Sequence, residues 1–389
     1  MSRVALYAGV GPELTQYDLG IEGGTLTRRG SVRLPANVQY AWPHASRQYL
    51  YVTTSDSASG SGGVVGKTHH ASAFRIDPAT GALTPHGNAL ALPSRPIHNL
   101  TDRKSEYLLT AYNNPSAVTV HRINADGTLG DEVKQPGTID AGIFAHQVLV
   151  TPDNRLVIIP TRGNDAAKEK PEDPGALKIY RFRDGMLTNG TTVAPGGGFG
   201  FGVRHVDFHP TQPWVYVSNE RSNKLQVFRL QGDTLAPTPL FEKSLLAEPA
   251  NVRPRQLGGA IHVHPNGRYV YGMNRASHRV HFEGKQVFGG GENSLAVFAI
   301  EPASGEPTLI QHVDTQGFHP RTFHIDPSGR VLVVAHIAAM QVRDGSDVRT
   351  VPANLSVFRI GDDGKLGYVR KYDVDVADSF MWWAGMVAL

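Results

Sequence analysis

The chain contains no cysteine, which removes disulfide frameworks, zinc–thiolate sites and thiol nucleophiles together. Charged residues make up only 19% of its 389 positions, against 40% hydrophobic. Disorder needs low apolar content and high net charge, so that class is excluded. No apolar run approaches the roughly 18–20 residues needed to span a bilayer. The opening MSRVALYAG lacks the long apolar segment of a signal peptide and reads as a strand. A soluble, cytoplasmic protein with no membrane partner is expected. The net charge of +3 comes without a run of basic residues. Nucleic-acid binders gather Lys and Arg on one face or stripe, so no nucleic-acid partner is expected. A sustained helical stripe is also missing. What the chain has in plenty is glycine (42), proline (26) and histidine (17). Glycine and proline stand above the usual usage of about 7% and 5%, which implies many tight turns and short strands.

One element recurs: alternating apolar residues ending in an aromatic, followed by a glycine-containing turn. It is found as LTQYDLG around Tyr17, ASAFRIDPATGAL around Phe74, VTVHRINADGTLG around His121 and LKIYRFRDGML around Tyr180. It returns as LQVFRLQGDTL around Phe228, LAVFAIEPASGE around Phe298 and LSVFRIGDDGKLG around Phe358. The seven copies lie 57, 47, 59, 48, 70 and 60 residues apart. Most are preceded by a strand, a Pro-x-Gly or Pro-x-Asn turn and a second strand, as in HQVLVTPDNRLVIIP and IHVHPNGRYVYGMN. Each unit therefore holds four short strands, a to d. A four-strand repeat of this length marks a β-propeller blade. The expected fold is all-β: a seven-bladed β-propeller of four-stranded antiparallel blades, forming a single domain over residues 1–389. The terminal SFMWWAGMVAL is expected to pair with VALYAG and close the ring, hiding two sheet edges.

Successive antiparallel strands reverse direction, so strand-a starts, strand-b ends and b–c loops share one face of the ring. That face collects the unusual polar residues. Strand-a starts carry His98, His146, Arg204 with His205, and Arg321 after His319; strand-b ends carry Asn113, Asn219 with Glu220, Asn274 with Arg275, and His336. Insertions at 55–70, 163–175, 277–292 and 337–352 fall on the same face. Arg204, Arg275 and Arg321 converging from three blades favour an anion, because guanidinium is permanently charged and matches carboxylate or phosphate bidentately. Glu220, the lone carboxylate among them, is expected to stay ionised, held by Arg204 or Arg275. A positioned carboxylate beside cationic donors suits a general base for water with an oxyanion site next to it.

These residues resemble the seven-bladed propeller lactonases, which include propeller-type 6-phosphogluconolactonases and the eukaryotic carboxy-cis,cis-muconate lactonising enzyme. The similarity covers almost all of the chain. Its most specific stretches are AHQVLVTPDNRLVIIPTRGND, GVRHVDFHPTQPWVYVSNERSNKLQVF and IHVHPNGRYVYGMNRASH. The family's functional His, Arg, Glu and Arg correspond to His146, Arg204, Glu220 and Arg275. The resemblance implies hydrolysis of the lactone of an anionic sugar acid or related carboxylate, without metal or cofactor. Glu220 would activate water, Arg204 and Arg275 would bind the substrate anion and oxyanion, and His146 would pass a proton to the leaving alkoxide. His98, His205, Asn219, Asn274, Arg321 and His336 are candidate substrate-binding residues. The chain departs from the family in the inserted VHFEGKQVFGGGE and in Ala335-His336, both bordering the site, where they would alter which lactone is accepted.

Plainer readings stand beside these. His146 could bond a backbone carbonyl at a blade junction, and Arg204 with Glu220 could be a structural ion pair. His205, Asn219 and Asn274 are often junction hydrogen-bonders. The PGGGFGFG run leads into a strand rather than a helix, so it lacks the helix N-terminus a phosphate loop exploits. His69-His70, His262 with His264, and His278 with His281 invite a metal, yet no carboxylate is fixed beside them by spacing. Trp382 and Trp383 are expected to be structural. Three rival functions remain: a muconate-type cycloisomerase, a metal-dependent lactonase, and a non-catalytic propeller serving as an interaction platform. Oligomeric state is open.

Overall fold

The seven repeat aromatics occupy one register position. Tyr17, Phe74, His121, Tyr180, Phe228, Phe298 and Phe358 sit opposite Leu6, Leu50, Leu108, Val157, Val215, Val270 and Leu332 of the preceding strand. A ring facing an aliphatic side chain at that point gives every blade the same buried cross-strand pair. The computed structural model describes residues 3–57 and 66–389; most of the insertion expected at 55–70 lies outside them. Its strands form seven antiparallel sheets around a central channel, a seven-bladed β-propeller.

Blade 1 closes the ring. Met381–Ala388 is its inner strand and pairs with Val4–Val10, followed outward by Glu13–Gly20 and Thr25–Arg33. The other inner strands are Asn37–Pro43, Pro96–Thr101, Leu149–Val150, Val203–Phe208, Gln256–Val263 and Pro320–Ile325, for blades 2 to 7 in order. Blades 6 and 7 each carry an extra hairpin between strands b and c, Arg279–Phe282 with Lys285–Phe288 and Met340–Asp344 with Asp347–Val351. These hairpins pack together over a small apolar cluster of Met340, Val342, Val351, Phe288 and Phe318. They are the insertions expected at 277–292 and 337–352.

Neighbouring blades are stapled by the turn glycines. Hydroxyls of Tyr7, Tyr51, Tyr216 and Tyr271 donate to the carbonyls of Gly81, Gly127, Gly305 and Gly364 in the c–d turn of the next blade. Gly127 shows why glycine is needed there: its φ is +86°, and a Cβ would lie 2.4 Å from the Tyr49 ring. On the same side of the ring, His264 Nε2 bonds the Gly329 carbonyl while its Nδ1 accepts the Asn266 amide. Both nitrogens are engaged, so His264 is a blade staple and has no nitrogen left for a metal.

One irregularity repeats around the channel. In six blades strand a carries an extra residue relative to strand b, a β-bulge near the b–c face. The residue left out of the ladder is Trp382, Gln39, Ile97, Arg204 and Arg321 in blades 1, 2, 3, 5 and 7. Blade 6 has the same offset at Gly259 and Ala260. In blade 4, Ala145 bridges Thr161 and Leu149 pairs Ile158, which again leaves one residue over around His146. Bulges re-aim side chains and end pairing locally. Here they turn one side chain per blade away from the pleat.

Candidate active site

At the b–c face the channel opens into a cavity of about 630 Å³, within the usual range for small-molecule sites. Six arginines line it, Arg95, Arg162, Arg255, Arg275, Arg279 and Arg321, against the carboxylates of Glu220 and Asp165. His146, His319, Phe144, Ile97, Trp382 and the Met340 hairpin complete the wall.

Glu220 is the centre of the arrangement and only 4% exposed. Its Oε1 accepts from Arg162 Nη1 at 3.0 Å. Its Oε2 accepts from Arg275 Nη2 and lies 3.0 Å from Arg204 Nε. Burial alone would raise its pKa, but Arg275, Arg204, Arg162 and Arg321 outweigh that and hold it at about 2. One carboxylate therefore faces four guanidiniums, and the excess positive charge belongs to an anion. Arg204 Nη1 and Arg275 Nε have no hydrogen-bond partner among the described residues.

The strand-end alignment placed Glu220 and Arg275 correctly. Each follows an asparagine, Asn219 and Asn274, and strand alternation sends the two neighbours to opposite sides. Asn274 is wholly buried and donates to the Leu245 carbonyl and Ser294 Oγ. Asn219 bonds the Gly200 carbonyl and the Ser222 amide. His336 is likewise buried, against the Asn354 carbonyl. Asn219, Asn274 and His336 thus fix loops and do not reach the cavity, contrary to the substrate-binding role expected of them. His98 and His205 stand behind the cavity in the channel: ring centroids are 5.3 Å apart for His146 and His205, and 6.3 Å for His205 and His98. Arg204 is 1% exposed and sits behind Glu220 rather than at the cavity surface. Its expected contact with substrate is replaced by a hold on Glu220. Arg321 does line the cavity.

His146 also lines the cavity. Its Nδ1 is buried without a partner, which leaves Nε2 for the cavity. Burial first, and then Arg204, His205, Arg321 and Arg275, push its pKa well below the ordinary histidine value. It is therefore neutral at pH 7 and able to accept a proton.

Several lining residues, Arg255, Arg279 and Asp165 among them, escaped the sequence reading, and three others bear most on the site. Arg162 follows Thr161 at the end of strand b in blade 4, the same column as Glu220 and Arg275, and that alignment would have found it. Arg95 precedes an inner strand and bonds Gln39 Oε1 through Nε at 2.8 Å. Trp382, expected to be structural, faces the cavity because the bulge removes it from the ladder, while Trp383 alone packs in the core at 2% exposure.

A ring of seven blades around a buried carboxylate clasped by arginines makes this a β-propeller with a cation-lined cavity of small-molecule size. Residues 4–343 match the family described as Lactonase, 7-bladed beta-propeller. The chain belongs to that family and is a lactonase. It is 28% identical over 343 residues to the 6-phosphogluconolactonase of Bacillus subtilis, covering 86% of this chain and 87% of that one. With the 6-phosphogluconolactonase of Pectobacterium carotovorum it shares 30% over 324 residues, 82% of this chain and 83% of the relative. The structure of the periplasmic gluconolactonase of Pseudomonas aeruginosa superposes with a TM-score of 0.72 at 23% identity, over 100% of this chain and 99% of that one, a likeness of fold. Among the described residues no helix is long and apolar enough to cross a membrane.

Proposed function

We propose that the chain hydrolyses the lactone of an anionic sugar acid, of the 6-phosphogluconolactone kind, with Glu220 fixing the attacking water. The observation that carries this reading is the clasp on Glu220. An ionised carboxylate offers about four acceptor positions. Arg162 takes one on Oε1 and Arg275 one on Oε2, while Arg204 Nε lies in ion-pair contact with Oε2 at 3.0 Å, so Oε1 keeps a position for an oriented water. Arg204 is the positioning residue behind this carboxylate.

A carboxylate held near pKa 2 orients water well but keeps a proton poorly, since useful bases have a pKa nearer the working pH. His146, neutral and in the same cavity wall, supplies an unprotonated ring nitrogen to take the proton in the transition state, although burial and the arginines lower its basicity as well. In the proposed course, the water oxygen bonds to the lactone carbonyl carbon while its proton passes to His146. The carbonyl oxygen becomes an oxyanion beside the Arg275 guanidinium, which lies in the cavity wall. Collapse then breaks the ring C–O bond, and His146 returns the proton to the departing alkoxide. The product is a hydroxy acid that ionises and releases acid. Preorganised donors of this kind are typically worth about 3–4 kcal/mol each at an oxyanion.

The test is pH-stat acid release over γ- and δ-lactones, phosphorylated and not, for the parent and Glu220→Gln, with and without a chelator. The expected result is loss of about 10²–10⁴ in kcat for the variant and indifference to the chelator. Full activity in Glu220→Gln would remove Glu220 from the reaction. A change in ultraviolet absorbance without acid release would mean cyclisation instead.

A further inference from the structure

The cavity has a second cationic end that the clasp on Glu220 does not use. Arg321, from the bulge of blade 7, lies with its guanidinium carbon 5.1 Å from the Trp382 ring centroid. Arg95, from the entry to blade 3, lies 5.6 Å from the same ring. Trp382 comes from the bulge of blade 1, so three separate blades build this corner. Arg95 is 8% exposed and is fixed by Gln39 through Nε alone. Its two terminal nitrogens have no partner among the described residues, and Arg321 has no hydrogen-bond or ion-pair partner among them at all. A buried and a half-buried guanidinium without a directly paired carboxylate are costly, and among the described residues only Glu220, at a distance, offsets the charge of Arg321.

Burial, and then Arg275 and Arg95, lower the Arg321 pKa to about 9, while burial lowers that of Arg95 to about 10. Both still carry their charge at pH 7. Arg321 shares the cavity wall with both Arg275 and Arg95. Two positive charges beside an indole face match a phosphoryl group, which carries about −1.5 to −2 at neutral pH and offers three acceptor oxygens. A single carboxylate would leave one guanidinium uncompensated.

We infer that Arg95, Arg321 and Trp382 form a phosphoryl subsite distinct from the Glu220 clasp, selecting lactones that carry a phosphate away from the reacting carbonyl. This inference rests on the lactonase reading above for where the carbonyl lies. It makes Arg95 and Trp382 specificity residues of the site.

The experiment compares kcat/KM for glucono-δ-lactone and its 6-phosphate in the parent, Arg95→Gln and Trp382→Leu, each checked for folding by circular dichroism melting. A lost charge-assisted contact should lower the phosphorylated-to-neutral ratio by about tenfold or more in both variants. Inorganic phosphate should compete with the phosphorylated lactone in the parent and compete more weakly in the variants. An unchanged ratio, with both substrates slowed alike, would reduce the corner to a structural wall and overturn the inference. Equal use of a lactone bearing a carboxylate in place of the phosphate would overturn it too. If no lactone is hydrolysed, the functional reading fails but the subsite is still decided by calorimetry with inorganic phosphate. Binding by the parent that weakens tenfold in Arg95→Gln supports it, and no binding by the parent refutes it.

Discussion

Acidification should unfold this protein from its channel histidines before its carboxylates are titrated. Burial, with His262, Arg204 and His324 adding to it, lowers the His98 pKa from 6.5 to about 3. Burial and His262 lower that of His324 to about 3. For His336 burial prevails over the bonds from Asn354, and the value is about 4. All three are neutral in the folded state, and the unfolded chain binds protons that the folded one refuses. Stability is therefore full above pH 6.5 and is lost as the pH falls toward 3 or 4. At 1.36 kcal/mol per pH unit and group, each histidine costs about 2 kcal/mol between pH 7 and pH 5, and the three together roughly 6 kcal/mol. That is comparable with the 5–15 kcal/mol that stabilises ordinary domains. Urea denaturation at pH 7, 6 and 5 measures it directly. His98→Gln, which cannot be protonated, should lose about 2 kcal/mol less than the parent over that range. An identical pH dependence in parent and variant would refute the reasoning, because His98 would then already be hydrated or charged in the folded state.

Three further substitutions test single contacts. Arg162→Met removes the only guanidinium that the described residues place on Glu220 Oε1; it should cost about 1.5–3 kcal/mol of stability and lower kcat more than it raises KM, read from steady-state kinetics and urea melts together. Gly127→Ala forces a Cβ to within 2.4 Å of the Tyr49 ring at φ +86° and should cost about 2 kcal/mol or more. Gly284→Ala, at φ +77° with nothing within 4 Å, should cost only about 1 kcal/mol, the backbone strain alone. Equal losses at the two glycines would show that the inter-blade contact contributes nothing.

The architecture was legible because it is written seven times. The aromatic anchors, the glycine turns and the terminal strand that closes the ring all follow from periodicity and strand direction, and all are where the sequence put them. The site was legible in part. His146, Glu220, Arg275 and Arg321 line the cavity because strand-a starts and strand-b ends share a face. Asn219, Asn274 and His336 were drawn in by the same rule, which sorts faces of the ring but not the two sides of a strand. Of the two parts read for Arg204, the hold on Glu220 is present, while a place at the cavity surface is not. Trp382 was missed for a different reason: strict alternation makes one of two adjacent tryptophans core, but it takes a bulge to decide which. No single inner strand reveals that offset. Set side by side, the segments VQYAW, PIHNL, VRHVD, PRTFH and MWWAG place Gln39, Ile97, Arg204, Arg321 and Trp382 in one column.

That column has a consequence of its own. A side chain released from the ladder contributes little to the pleat that carries it, so its identity is free of the demands that shape the blade. The framework tolerates an amide, an isoleucine, two arginines and a tryptophan in equivalent sockets without altering the strands around them. Chemistry and scaffold are thereby uncoupled. Exchanging Ile97, Arg321 or Trp382, the socket residues in the cavity wall, should redraw what the cavity accepts while leaving the ring to fold as before, whereas the Arg204 socket stays tied to the carboxylate it supports.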